Sequence, residues 1–236
     1  MRPNKEFAMK LSDDDLRRMA VFRCAQTIAS PEEIQRVLSD GLYAADRELT
    51  CLPEDQLQQV VVSLLKPSRV AHVLGCRDTA VQLAKKWGAD VTAAARAALL
   101  HDVTKALDGP LQLTLCDVYG IILDNFSTEN PKTLHALTGS LVADRIFGED
   151  PAVVAAIRSH TTAKPDMNVL EKIIYVADYM EPNRDFPGVD ELRELAYSDL
   201  DKALILGLEM TISLLVEQGR EIAPASQAAL AFLKKG

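Results

Sequence analysis

The sequence predicts an all-α protein, and three observations carry that prediction. Apolar residues recur at helical spacing in one long segment after another. No segment alternates apolar and polar residues as a half-buried strand would. Breakers rich in Pro, Gly and Asn or Asp fall between the periodic segments. The first 60 residues carry charge clusters, Asp13-Asp14-Asp15 and Glu32-Glu33, and two or three short helices, the first over Asp14 to Ile28. They hold none of the chemically suggestive residues and form an N-terminal helical extension without an assigned role. Pro67-Ser68 opens the next segment, Val70 to Trp87, with Ser68 as a candidate N-cap. Gly88-Ala89-Asp90 closes it, and Asp90 caps Val91 to Leu107. Gly109-Pro110 and Asn130-Pro131 precede Leu134 to Phe147. Asp150-Pro151 opens Val153 to Arg158, with Asp150 as cap. Lys164-Pro165-Asp166 precedes Leu170 to Met180, and the breaker Pro182 to Gly188 separates that segment from Leu200 to Val216.

Composition bounds the function. A chain of 236 residues with 48% hydrophobic content has room for a sizeable core, as one large domain or a domain with an appendage. Its apolar runs, such as Ile173 to Val176 and Ala203 to Leu208, are too short to span a bilayer. The opening MRPNKEFAMK lacks the apolar stretch of a signal peptide, so a cytoplasmic location is expected. Cys24, Cys51, Cys76 and Cys116 form no CxxC pair and read as reduced thiols. A formal net charge of −8 argues against a nucleic-acid polymer as partner, because a phosphate backbone needs a basic face. A small phosphorylated substrate stays open, since bound cations supply charge that the count omits.

All four histidines fall in one ordered series that ends in a carboxylate: His72, the doublet His101-Asp102, His135, His160 and Asp178. Imidazoles and carboxylates are the usual ligands of catalytic divalent metals. The doublet follows an apolar run at the end of a helical segment, where unpaired polar groups would cost roughly 1–3 kcal/mol to bury and a charge more. A metal removes that cost. Adjacent helical residues project about 100° apart, so His101 can serve one ion while Asp102 reaches between two. Asp178 lies in the apolar string Ile173-Ile174-Tyr175-Val176-Ala177-Asp178-Tyr179-Met180, where a lone anion needs a cation. Taken singly, His72, His135 and His160 each read as well as core or surface histidines. Together the six supply each other's missing partners.

The order of these residues resembles the HD superfamily of metal-dependent phosphohydrolases. Longer strings narrow the likeness: Ser68-Arg69-Val70-Ala71-His72-Val73-Leu74-Gly75, Leu99-Leu100-His101-Asp102-Val103-Thr104-Lys105, Leu134-His135-Ala136-Leu137-Thr138-Gly139, Ile157-Arg158-Ser159-His160-Thr161-Thr162, and Ile173 through Asp178 to Met180-Glu181-Pro182-Asn183-Arg184. These are similar to the YqeK family over roughly residues 60 to 235. The resemblance implies an HD-domain helical bundle over 61–236, following the extension over 1–60. It also implies symmetrical cleavage of diadenosine tetraphosphate to two ADP, and a di-metal centre that is commonly iron. Ala163 stands where the family usually has Gly, and the N-terminal stretch is longer than the family core needs.

On this reading His72, His101, Asp102 and Asp178 hold one ion, and Asp102, His135 and His160 the other. Imidazole-rich ligation suits Fe, Mn, Co or Zn better than Mg. Asp102 and Lys105 are assigned to catalysis. Arg69, Thr104, Lys105, Thr161, Thr162, Asn183 and Arg184 are assigned to substrate, a small-molecule dinucleoside polyphosphate. The alternatives are an HD phosphohydrolase acting on another nucleotide, and a nucleotide-binding regulator. The many apolar helices leave room for a homodimer.

Overall fold

The computed structural model describes residues 11–39, 41–43 and 48–235. The opening segment read for a signal peptide lies outside the described residues. The chain divides into two compact units, Met1–Glu48 and Leu49–Gly236.

In the smaller unit, α1 (Asp13–Val21) starts at Ser12, whose side chain accepts from the Asp15 N–H, and three aspartates in the first turn complement the helix dipole. The helix expected to reach Ile28 stops at Val21. Arg23 turns left-handed at φ 57°, and the Cys24 N–H returns 2.8 Å to the Met19 carbonyl, which closes the helix. Only a 3-10 turn over Ala25–Thr27 follows. Next, α2 (Pro31–Val37) opens with a capping box between Ser30 and Glu33. Arg36 grips both oxygens of Asp13 at 2.7 Å, but in the open, where such a pair adds little stability.

The larger unit runs α3 (Glu54–Leu64), α4 (Pro67–Trp87), α5 (Val91–Leu100), α6 (Gly109–Val118), α7 (Asn125–Glu129), α8 (Leu134–Arg145), α9 (Pro151–Ser159), α10 (Val169–Met180), α11 (Val189–Ser198), α12 (Leu200–Glu217) and α13 (Pro224–Leu233). Among the described residues there is no strand, as an all-α chain requires. The centre is α5, whose sequence VTAAARAALL buries Ala94, Ala95, Ala97, Ala98, Leu99 and Leu100. Its small side chains let α4, α8, α9 and α10 all pack against it. The chemistry-bearing ends of those helices therefore meet at one place.

Several boundaries differ from the sequence reading. Asp90 and Asp150 cap α5 and α9 as expected, but Ser68 does not cap α4; it lies inside the first turn, with Lys66 at the cap position. The helix expected over Val91 to Leu107 ends at Leu100. The cause is local: His101 Nδ1 takes the Ala98 carbonyl at 2.6 Å, the acceptor the next helical N–H would use, and residues beyond continue in three-residue turns. The segments α6, α7, α11 and α13 add to those read from the sequence. In α11 only Val189, Leu192 and Ala196 are buried, too thin a stripe to stand out in periodicity.

Candidate metal centre

Six side chains converge from five helices. His72 projects from the first half of α4, His101 and Asp102 follow the end of α5, His135 opens α8, His160 caps the end of α9, and Asp178 lies near the end of α10. All four histidines and Asp102 are buried, and Asp178 is 21% exposed at its side chain. The two oxygens of Asp102 face different partners. Oδ2 lies 3.8 Å from His72 Nε2 and 3.6 Å from His101 Nε2. Oδ1 lies 3.4 Å from His135 Nε2 and 3.8 Å from His160 Nε2. Asp178 Oδ1 stands 3.1 Å from His72 Nε2 and 3.9 Å from His101 Nε2. Three sets of ligand atoms lie within 4.8 Å of one another: His72, His101 and Asp102; His101, His160 and Asp178; and Asp102, His135 and His160.

The histidines all aim the same nitrogen inward. Nδ1 of His101, His135 and His160 each bonds a backbone carbonyl three residues back, on Ala98, Lys132 and Ile157, at 2.6–2.7 Å. Nδ1 of His72 instead bonds Glu181 Oε1 at 3.1 Å. A carbonyl can only accept, so these Nδ1 atoms carry the proton and leave a lone pair on Nε2. Burial lowers the His101 pKa to about 4 and the His135 pKa to about 3, so both rings are neutral near pH 7. Burial alone would raise Asp102, but His101, His160, Lys105 and His135 around it hold its carboxyl well below the usual range.

This arrangement is costly without a cation. Nε2 of His135 and His160 face each other at 3.2 Å. Among the described residues, His72 Nε2, His101 Nε2 and Asp102 Oδ1 are buried polar atoms without a hydrogen-bond partner, and all three point into the same space. Converging imidazole lone pairs beside ionised carboxylates are a donor set for a divalent metal, and the residues fit one.

The residues assigned to substrate divide into two groups. Lys105, Thr161 and Arg184 line a cavity of about 730 Å³ beside the centre, walled by Tyr179, Phe186, Met210 and Leu214. Lys105 Nζ reaches His135 Nε2 at 2.8 Å and stands 3.6 Å from Asp102 Oδ1. Thr161 Oγ1 lies 3.1 Å from Nε2 of both His135 and His160. Arg184 pairs with Asp178 Oδ1 at 2.7 Å. Arg69 also faces in, with Nη1 3.5 Å from Asp102 Oδ2.

Thr104, Thr162 and Asn183 do not face the cavity. Thr104 is fully buried and donates to the His135 carbonyl, bracing the start of α8. The Thr162 hydroxyl turns to the Ala163 carbonyl, and its own carbonyl accepts from Ser226. Asn183 holds Glu181 Oε2 through both its backbone N–H and Nδ2, each at 2.8 Å.

Sequence reasoning missed three contributors. Glu181 is the partner of His72. Arg193 donates to the carbonyls of Met180, Glu181 and Arg184, clamping the turn that carries Glu181. Gln112 bridges the Thr104 carbonyl and the Thr138 hydroxyl beneath His135. Gly75, one turn after His72, was the available signal for Glu181: a side chain there would run into its carboxylate.

Known proteins match the part of the chain that holds these residues. The chain matches the HD domain family over residues 69–183. It is 40% identical over 164 residues to a protein of Bacillus subtilis named symmetrical bis(5′-nucleosyl)-tetraphosphatase, covering 68% of this chain and 86% of that one. A Staphylococcus aureus protein of the same name is 30% identical over 167 residues, covering 70% and 86%. A crystal structure from Clostridium acetobutylicum, titled a predicted HD superfamily hydrolase involved in NAD metabolism, superposes with a TM-score of 0.76 at 38% identity over 78% of this chain and 98% of that one.

Proposed function

The chain belongs to the HD-domain family of symmetrical bis(5′-nucleosyl)-tetraphosphatases, and we propose that it hydrolyses diadenosine tetraphosphate to two molecules of ADP. One observation carries the reading to these residues: the two oxygens of Asp102 address two separate pairs of histidine lone pairs. That is the ligand geometry a bridging carboxylate needs. We assign one divalent ion to His72, His101, Asp102 and Asp178, and a second to Asp102, His135 and His160. The imidazole-rich set suits Fe, Mn, Co or Zn better than Mg, and Fe is our first choice only because the family resemblance implies it. Bound there, the metal lowers the pKa of water and offsets charge on phosphoryl oxygens.

The chain's own residues do the rest. Asp102 holds both halves of the centre together. Lys105 and Arg184 set positive charge on the cavity side, where a polyphosphate of a −8 chain's substrate needs it. Arg69 approaches from the Asp102 Oδ2 side. The Thr161 hydroxyl lies close enough to donate to a phosphoryl oxygen or a water beside His135 and His160. Water adds at one of the two central phosphorus atoms and the bond between the central phosphates breaks, leaving ADP on each side. Tyr179 and Phe186, their rings 5.3 Å apart, offer an apolar surface to a base. We place the activity in residues 61–236 and give residues 1–60 no role in it. A cytoplasmic location belongs to this reading; among the described residues no cysteine forms a disulfide and no helix is long and apolar enough to cross a membrane.

The test is to incubate the metal-reconstituted chain with diadenosine tetraphosphate and separate the products by chromatography. ADP as sole product is expected, and Asp102→Ala, folded by circular dichroism, is expected to abolish turnover. AMP plus ATP would overturn the regiochemistry. No turnover from protein shown to hold metal would overturn the substrate.

A further inference from the structure

Three of the four inward-facing histidines are oriented by their own helix ends. His101 and His160 cap α5 and α9, and His135 opens α8, so carbonyls three residues back are within reach of each Nδ1. His72 has no such option. It sits well inside α4, where backbone carbonyls are taken by helical N–H groups. Its Nδ1 must find a side chain, and the one it finds is Glu181, 1% exposed and 109 residues away in the chain.

We propose that Glu181 is the positioning residue for His72, and that the ion position built on His72, His101 and Asp102 depends on it while the position built on Asp102, His135 and His160 does not. This rests on the metal reading given above. Two further features are arranged around that single contact. Gly75 leaves the space that Glu181 Oε2 fills, since a Cβ at 75 would collide with it. Asn183 presents two N–H donors to Oε2, which leaves Oε1 for His72. A carboxylate accepts on both sides, so it fixes the His72 proton on Nδ1 and the lone pair on Nε2.

Gln at 181 has the same shape but one oxygen. Asn183 offers it two donors and His72 one, so the oxygen turns to Asn183 and the amide NH₂ faces His72 Nδ1. The ring must then accept at Nδ1 and carry its proton on Nε2, where it cannot bind a metal. Glu181→Gln therefore tests the proposal without removing bulk. Gly75→Ala tests it from the other side, by displacing the carboxylate while leaving Glu181 in the sequence.

The experiment strips the full-length chain of metal and titrates Mn²⁺ by equilibrium dialysis, for wild type, Glu181→Gln and Gly75→Ala. Wild type is expected to bind two ions per chain. Each variant is expected to keep one and to bind the other roughly 10–100-fold more weakly. In the Zn²⁺-loaded chains, ring ¹⁵N spectra of the four histidines should show all rings protonated at Nδ1 in wild type, and one ring protonated at Nε2 in Glu181→Gln. Two ions bound with unchanged affinity in both variants would overturn the proposal. So would equal weakening of both positions, which marks a general structural role. A wild type that binds no Mn²⁺ would instead sink the metal reading beneath it.

Discussion

Acid should unfold this protein from its centre outward, beginning near neutrality. His101 and His135 have pKa values of about 4 and about 3 in the folded chain, against 6.5 when unfolded, because burial penalises their charged forms. Between those values the unfolded chain takes up protons that the folded chain refuses. Stability is then complete above about pH 6.5 and falls as the pH is lowered, by about 1.4 kcal/mol per pH unit for each histidine. The two together give about 2.7 kcal/mol per unit, or about 4 kcal/mol between pH 6.5 and 5. For a chain of this size that lowers Tm by roughly 8–16 °C. Surface carboxylates do not confuse the window, since they titrate at about pH 4 and below. The assay is thermal melting of the metal-stripped chain at pH 7, 6 and 5. His101→Gln should bring the slope down to about half, because one of the two contributors is gone. A Tm that stays level from pH 7 to 5 would refute the reasoning, as would a slope in His101→Gln equal to that of wild type.

Further outcomes are expected away from pH. Arg96 holds Glu149 with two bonds of 2.7 and 2.6 Å and also reaches the Leu52 carbonyl, with the Glu149 side chain 2% exposed; Glu149→Ala should cost about 3–5 kcal/mol in urea melts by stranding the guanidinium, while leaving turnover per folded molecule unchanged. Ala163 lies at φ 55° and 3% exposed. Ala163→Gly should melt within about 1 kcal/mol of wild type, the backbone relief offset by lost burial and greater chain entropy, whereas Ala163→Val should cost about 2 kcal/mol or more. Arg184→Ala should raise KM for diadenosine tetraphosphate at least about tenfold, the loss of one charged phosphate contact, and steady-state kinetics at varied substrate would show it.

The convergence of the six side chains was legible because their chemistry cannot hide: a His-Asp doublet after an apolar run and a lone Asp in an apolar helix have few bland explanations. Direction was not legible. Thr104, Thr162 and Asn183 sit beside or near ligands in sequence, yet they brace the His135 carbonyl, a neighbouring turn and Glu181, because adjacency along a chain says nothing about which way a short polar side chain turns. Glu181 escaped for the opposite reason, since its partner is 109 residues away and only folding brings them together. The end of α5 was misplaced by seven residues' worth of apolar pattern from Val91 to Leu107, because a side-chain bond from His101 to Ala98 outcompetes periodicity. Ala163, singled out in the sequence, falls on one of four described non-glycine residues with positive φ, where a glycine would be the unstrained choice.

The carbonyl-tethered histidines also differ from His72 in how far along the chain their anchors lie. His101, His135 and His160 are aimed by residues three positions away, so each is oriented by its own helix end. Such local contacts cost little loop-closure entropy. His72 depends on the turn after α10 docking against α4, across most of the unit's sequence. The two kinds of anchor therefore differ in reach: three rings are aimed by contacts inside their own turns, whereas His72 is aimed by a contact that closes a loop of 109 residues.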